Sequence, residues 1–134
     1  MGERIVDLDG TLTAAPSRFS LQVGPAEHVE APAGTPLEAG CDRFRWRATN
    51  HSCRPNSLVV GRSIVSCRPV GADDEVTIHY EATEWELTST FRCTCGWCRG
   101  REIRGFRHLT VAQRSALEEL IADHLRPFVG PSAS

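Results

Sequence analysis

The chain has 134 residues, 40% of them hydrophobic and 24% charged, with a net charge of −2. That balance fits one soluble globular domain and argues against strong non-specific binding to nucleic acid, which wants a basic face. No apolar run reaches the about 18 residues of a membrane-spanning helix, and Met1–Gly10 lacks the apolar block of a signal peptide, so a cytoplasmic protein with no membrane partner is expected.

Ile5–Leu8 reads as a short strand closed by the turn pair Asp9–Gly10, and Thr11–Ser17 as a polar loop. Phe19, Leu21 and Val23 alternate with Ser20 and Gln22, the period of a half-buried strand, and His28–Glu30 can pair back on it after the Gly24–Pro25 turn. Ala31–Gly40, rich in Pro, Gly and Ala, is a loop. Phe44, Trp46 and Ala48 alternate with arginines, a pattern open to a strand or a single helical turn. Leu58–Val60 and Ser63–Arg68 flank Gly61–Arg62 as a hairpin, and Val76, Ile78 and Tyr80 follow as another strand.

The end of the chain differs in kind. Thr110 and Gln113 have capping-box spacing, and Leu117, Leu120, Ile121, Leu125 and Phe128 repeat at helical intervals up to Pro127 and a loose tail from Gly130. The expected fold is therefore mainly β, with short strands, long loops and one C-terminal helix that serves as a packing element or a partner surface.

All 15 basic residues are Arg. With many Ala, Gly and Pro, this reads as a GC-rich coding sequence and a bacterial source; it also means that the chain has no lysine of its own to modify. Six cysteines invite a disulfide scheme, but Cys93, Cys95 and Cys98 crowd into six residues and no export signal accompanies them. Clustered thiols of that kind more often hold a metal.

Asn50-His51-Ser52-Cys53-Arg54-Pro55-Asn56 is dense in hydrogen-bonding groups and contains the two Asn residues of the chain. By itself it would be a surface turn. It is followed by Gly71-Ala72-Asp73-Asp74-Glu75-Val76-Thr77-Ile78-His79-Tyr80, then by Phe91-Arg92-Cys93-Thr94-Cys95-Gly96-Trp97-Cys98-Arg99-Gly100. In this order the three blocks resemble the C-terminal half of SET-domain methyltransferases with their post-SET cysteine segment: N-H-S-C-x-P-N, then G-[DE]-E-[LVI]-T-[IV]-x-Y, then F-x-C-x-C-G and a final C-x-G. The likeness runs from about 44 to 105, and Gly2–Val29 matches more loosely.

The resemblance implies a β-clip-like arrangement with a SET-like core over 1–90, a zinc segment over 91–108, and a C-terminal helix and tail over 109–134. It implies that Asn50 and His51 lie against S-adenosylmethionine, and that Tyr80, the one Tyr of the chain, stands at the methyl-transfer channel. Glu75 and Thr77 would fix the strand that bears Tyr80. Trp97 would cover the adenine or the substrate channel, or simply pack. Cys53 is nominated as the fourth zinc ligand beside Cys93, Cys95 and Cys98, which would staple the segment across the cofactor site; tetrahedral zinc wants four ligands. Cys67 is expected to be a small core residue and Cys41 is left over; His108 is a substitute ligand or a surface residue. Methyl transfer from a sulfonium needs alignment and exclusion of water more than a strong general base.

The sequence departs from the family in two places. The spacing here is C-x-C-x2-C where C-x-C-x4-C is usual, and no G-x-G step occurs before Asn50. A start further upstream, a partner subunit that completes the cofactor site, a cofactor held by fewer contacts, or a non-catalytic relative would each account for the second. Three functions follow: an N-methyltransferase with protein lysine as the family default, an enzyme using the same donor on a small-molecule amine, and a zinc-stapled binding module without turnover.

Overall fold

The computed structural model describes residues 2–35 and 44–130. Cys41, the second half of the Pro-rich loop and the last four residues lie outside them. The architecture is mainly β, built from small sheets joined by loops and short helical turns.

β1 (Arg4–Asp7), β6 (Ser57–Val60) and β7 (Ser63–Ser66) form one antiparallel sheet in the order β1-β7-β6. The β6–β7 hairpin closes over Gly61–Arg62, with Val60 opposite Ser63. Gly61 sits at φ 59°, and a two-residue hairpin loop needs such a residue at its first position. A second antiparallel sheet has the order β2-β4-β3, from β2 (Thr11–Thr13), β3 (Leu21–Gln22) and β4 (His28–Glu30). The expected β3–β4 hairpin is present. The polar segment after Gly10 is not wholly a loop: Thr11–Thr13 pairs with Glu30–His28 as an edge strand that stays largely exposed, set by that pairing rather than by any apolar pattern of its own.

Arg45–Ala48 is a 3-10 turn, which resolves the open alternation around Trp46. β5 (Asn50–His51) then pairs in parallel with β8 (Thr77–Ile78). Tyr80 does not continue β8; it opens a 3-10 turn, Tyr80–Ala82. β9 (Phe91–Arg92) and β10 (Glu102–Ile103) form an antiparallel pair that brackets the cysteine loop.

One core gathers Leu8, Leu21, Val29, Trp46, Val59, Ile64 and Ile78, with Tyr80 packed against it. Strands from three sheets contribute to it, so no sheet is stable alone; burial of a side chain such as Ile64 or Ile78 is worth about 1.5–3 kcal/mol. A second core holds Phe106, Leu109, Ile121 and Leu125, with Trp85 and Leu117 at its edge.

The C-terminal helix is shorter than its apolar repeat predicts. Thr110 and Gln113 form the expected capping box on α1 (Val111–Ala116), but α1 stops there, and Glu118–Leu120 and Asp123–Phe128 are 3-10 turns. Ile121 and Ala122 are extended (ψ 128° and 150°), and the Ala122 N–H donates to the Ala82 carbonyl at 2.9 Å. Docking onto the Tyr80–Ala82 turn thus takes a donor that a continuous helix would use internally. Helices this short gain little from propagation, so the tertiary contact wins.

Candidate functional site

The loop Ser52–Asn56 leaves β5 and enters β6, and it is pinned to β8 by Asn56. The Asn56 side chain donates to the Glu75 carbonyl (2.8 Å) and accepts from the Thr77 N–H (3.0 Å), while its own N–H donates to the Thr77 hydroxyl (3.2 Å). Asn56 is therefore structural: it places β5 beside β8 and brings Asn50, His51 and Tyr80 to one edge. Glu75 and Thr77 meet the same junction, and Glu75 also accepts from the Asn50 amide at 2.9 Å.

His51 uses both ring nitrogens. Its Nδ1 accepts from the Tyr80 N–H at 3.1 Å, which leaves the proton on Nε2, and Nε2 lies 3.4 Å from Cys53 Sγ. Burial first, then the neighbouring His79, holds His51 down to about 3, so the ring is neutral at ordinary pH. His51 packs edge-on to His79 (4.7 Å), Tyr80 (5.4 Å) and Phe91 (5.7 Å). Phe91 in turn meets Tyr80 at 5.8 Å. Phe91 stands in the F-x-C-x-C block, yet its place as a wall of the site is not visible from the spacing of that block.

The Tyr80 hydroxyl donates to the Thr49 carbonyl at 2.5 Å. Its proton is thereby committed, and the phenol oxygen presents only lone pairs to its other neighbours. Burial raises the phenol above its usual range, helped by Glu84 and Glu75, so it stays protonated.

These groups line an open cleft of about 720 Å³, bounded by Phe19, Trp46, Thr49, Asn50, His51, Tyr80, Glu84, Phe91 and Cys95, among others. That volume lies within the range of about 300–1,000 Å³ of small-ligand sites. Trp97 lies apart from it: the ring is 62% exposed and stacks under the Arg54 guanidinium at 4.6 Å.

The sulfur atoms of Cys53, Cys93, Cys95 and Cys98 all lie within 4.8 Å of one another, with Cys53–Cys93 and Cys95–Cys98 both at 3.9 Å. Four thiolates about 2.3 Å from one tetrahedral zinc stand about 3.8 Å apart, so this donor set fits zinc. The shortened C-x-C-x2-C loop does not prevent the approach. Backbone amides already point at the sulfurs, Cys95 N–H to Cys93 and Trp97 N–H to Cys95, each at 3.4 Å. Burial raises the Cys53 thiol and also lifts Cys93, to about 11; Cys95 sits near 6, where backbone hydrogen bonds and neighbouring thiols outweigh its burial. His108 is not part of the cluster; its ring pairs with Glu86 at 3.2 Å. Cys67 is half-buried, its thiol 3.7 Å from the Pro55 carbonyl.

A buried carboxylate ties the cysteine loop to the core. Glu81, 1% exposed, takes the Arg101 guanidinium on Oε1 (2.6 Å) and the Arg104 and Gly105 N–H groups on Oε2 (2.9 and 3.1 Å). Arg101 also reaches Cys53 Sγ at 4.0 Å. Gly105 is at φ 125°, and a Cβ there would stand 2.7 Å from Glu86 Cα, so only glycine lets this strand end approach.

No family model matches the chain. Part of it is similar to methyltransferase flvH of Aspergillus flavus, with 40% identity over 52 residues, which make up 35% of this chain and 29% of that protein. The chain thus matches less than a third of the length of this curated relative.

Proposed function

We propose that the chain carries a SET-type methyltransferase site that moves a methyl group from S-adenosylmethionine to a nitrogen, with one structural zinc held by Cys53, Cys93, Cys95 and Cys98. The observation that carries this is the convergence of Asn50, His51 and Tyr80 on one cleft whose wall continues into the cysteine cluster. The partial similarity to a methyltransferase supports the same reaction class. The resemblance makes a protein lysine the default acceptor, and a small-molecule amine is the alternative.

The sulfonium donor supplies an activated methyl group when bound. The π faces of Tyr80 and Phe91 offer a bound cation an attractive wall, with His51 packed against both rings. Asn50 adds a polar side chain to the rim, held in place by Glu75. The Tyr80 oxygen, its own proton engaged by Thr49, accepts from the N–H of the incoming amine and fixes the direction of its lone pair. Alignment of this kind is worth several orders of magnitude in rate. A thiolate-bound zinc would fix the Cys93–Cys98 loop, and through it Phe91, against the cleft.

The test is calorimetric titration of zinc-loaded protein with S-adenosylmethionine, followed by transfer of a labelled methyl group to lysine-bearing proteins and to small amines. Micromolar binding with label in a macromolecular product supports the lysine acceptor, and label in a low-mass product supports the alternative. Absence of binding would leave a zinc-stapled module without turnover.

A further inference from the structure

The same cleft contains a carboxyl group that the steps above leave idle. Glu84 follows the Tyr80 turn, lines the cleft, and is only 8% exposed. Its Oε2 accepts from the Gln22 N–H at 2.7 Å and from the Thr83 hydroxyl at 3.3 Å. Among the described residues no hydrogen bond reaches Oε1, and no Arg or His forms an ion pair with this side chain. Gln22 is itself locked, its amide oxygen accepting from the Trp85 N–H (2.7 Å) and its amide nitrogen donating to the Gly24 carbonyl (2.9 Å), so it cannot turn to satisfy the free oxygen.

A carboxyl nine-tenths buried, with no ion pair to it among the described residues, is costly when charged. It is retained at low cost only if it holds a proton or receives a positive group from the cleft. An ammonium has three donors, and two acceptors with spare lone pairs line this cleft, Glu84 Oε1 and the Tyr80 oxygen.

We propose that Glu84 binds the substrate's ammonium group and takes its proton before methyl transfer. This rests on the N-methyltransferase assignment and narrows the acceptor to a primary or secondary amine that is charged in solution. The ammonium loses one proton to the Glu84 carboxylate. The freed nitrogen lone pair then forms the C–N bond to the methyl carbon of the sulfonium donor, the S–C electron pair leaves with sulfur as a neutral thioether, and the product nitrogen carries the positive charge. Glu84 returns its proton to water as the product leaves. Burial, opposed by the Gln22 and Thr83 hydrogen bonds, holds Glu84 up to about 7, which suits a group that both gains and loses a proton near neutrality. The other titratable and charged groups around it are Tyr80, His124 on the Thr83 carbonyl, His28 opposite Gln22, and Glu75, Glu86, Arg18 and Arg47 elsewhere on the cleft wall.

The experiment titrates n-butylammonium into the zinc-loaded full chain near pH 8, for the parent, Glu84→Gln and Glu84→Asp, and records methyl transfer against pH for the same three. Gln keeps an oxygen for the Gln22 N–H, and thermal melts verify the fold of each variant. Loss of the charge should weaken n-butylammonium binding by about tenfold or more, with S-adenosylmethionine affinity little changed and Glu84→Asp intermediate. The limb of the rate profile centred near 7 should vanish in Glu84→Gln, leaving only the rise that follows the amine's own ionisation. Equal ammonium binding by parent and Glu84→Gln overturns the proposal, as does an unchanged pH midpoint, and either result leaves the methyltransferase assignment intact. Glu84-dependent ammonium binding in a protein that never transfers methyl supports the subsite and sinks that assignment instead.

Discussion

Replacing Glu81 by Gln should detach the cysteine loop from the strand core. Both carboxylate oxygens are in use: Oε1 holds Arg101 at 2.6 Å, and Oε2 holds two backbone N–H groups. A glutamine has one acceptor oxygen, so its NH2 must face either the guanidinium or the paired amides. Breaking a fully buried ion pair costs about 3–5 kcal/mol. The Arg101 side chain is 31% exposed and recovers part of its hydration, which brings the expected loss to about 2–3 kcal/mol. For a chain of this length that is a fall of about 10 °C in melting temperature. Urea denaturation of zinc-loaded protein measures it, and competition with a chromogenic chelator should show zinc held about tenfold less tightly, because Arg101 also contacts Cys53. The double variant with Arg101→Met should be non-additive by about 1 kcal/mol or more. A Glu81→Gln protein within about 0.5 kcal/mol of the parent, with unchanged zinc affinity, would refute the claim that this carboxylate couples the two regions.

Elemental analysis of protein purified without chelators should find one zinc per chain, and Cys53→Ser should lower metal retention along with thermal stability. Tyr80→Phe removes the bond to the Thr49 carbonyl at a cost of about 1 kcal/mol in stability, while labelled methyl transfer should drop by about a hundredfold; equal transfer removes Tyr80 from the mechanism. Glu84 has its native pKa raised to about 7 from 4.5, so the native state binds more protons between those values than the unfolded chain does. The contribution of Glu84 to stability should therefore be fully present below pH 4.5 and fall by about 3 kcal/mol as pH rises through 7, a slope that Glu84→Gln should remove from denaturant titrations across that window.

Strand positions near Gly and Pro punctuation were legible in the sequence, because a turn residue and an alternating pair of neighbours fix a hairpin locally. The β6–β7 hairpin over Gly61 and the β3–β4 return are of this kind. The C-terminal segment was not, since its apolar repeat is compatible with a helix and only the Ala82 carbonyl, far off in the chain, decides that Ile121–Ala122 is extended. Among site residues, the Asn50–Asn56 string and the cysteines carry their spacing on their face. Glu81 and Glu84 do not: Tyr80-Glu81-Ala82-Thr83-Glu84 reads as an ordinary acidic stretch until folding buries both carboxylates and, among the described residues, supplies the Arg101 cation to one and neutral donors to the other. Burial of a charge is a tertiary property, and no local pattern encodes it.

The two halves of the site meet in one imidazole. Cys53 belongs to the thiol cluster and Tyr80 to the cleft, and His51 bridges them, Nε2 toward the sulfur and Nδ1 receiving the Tyr80 amide. A neutral ring can offer only one N–H, so the hydrogen bond to Tyr80 directs the ring proton at Cys53, and a thiolate there strengthens that contact in return. Metal-bound sulfur is thiolate, while burial keeps the free Cys53 protonated. A metal bound by the cluster would therefore turn the partner of His51 Nε2 from a thiol into a thiolate, and would stiffen the strand edge that carries Asn50, His51 and the turn into Tyr80. The cysteine segment is in this sense joined to the cleft at two points, through His51 to Cys53 and through Arg101 to Glu81, the residue directly after Tyr80 in the chain.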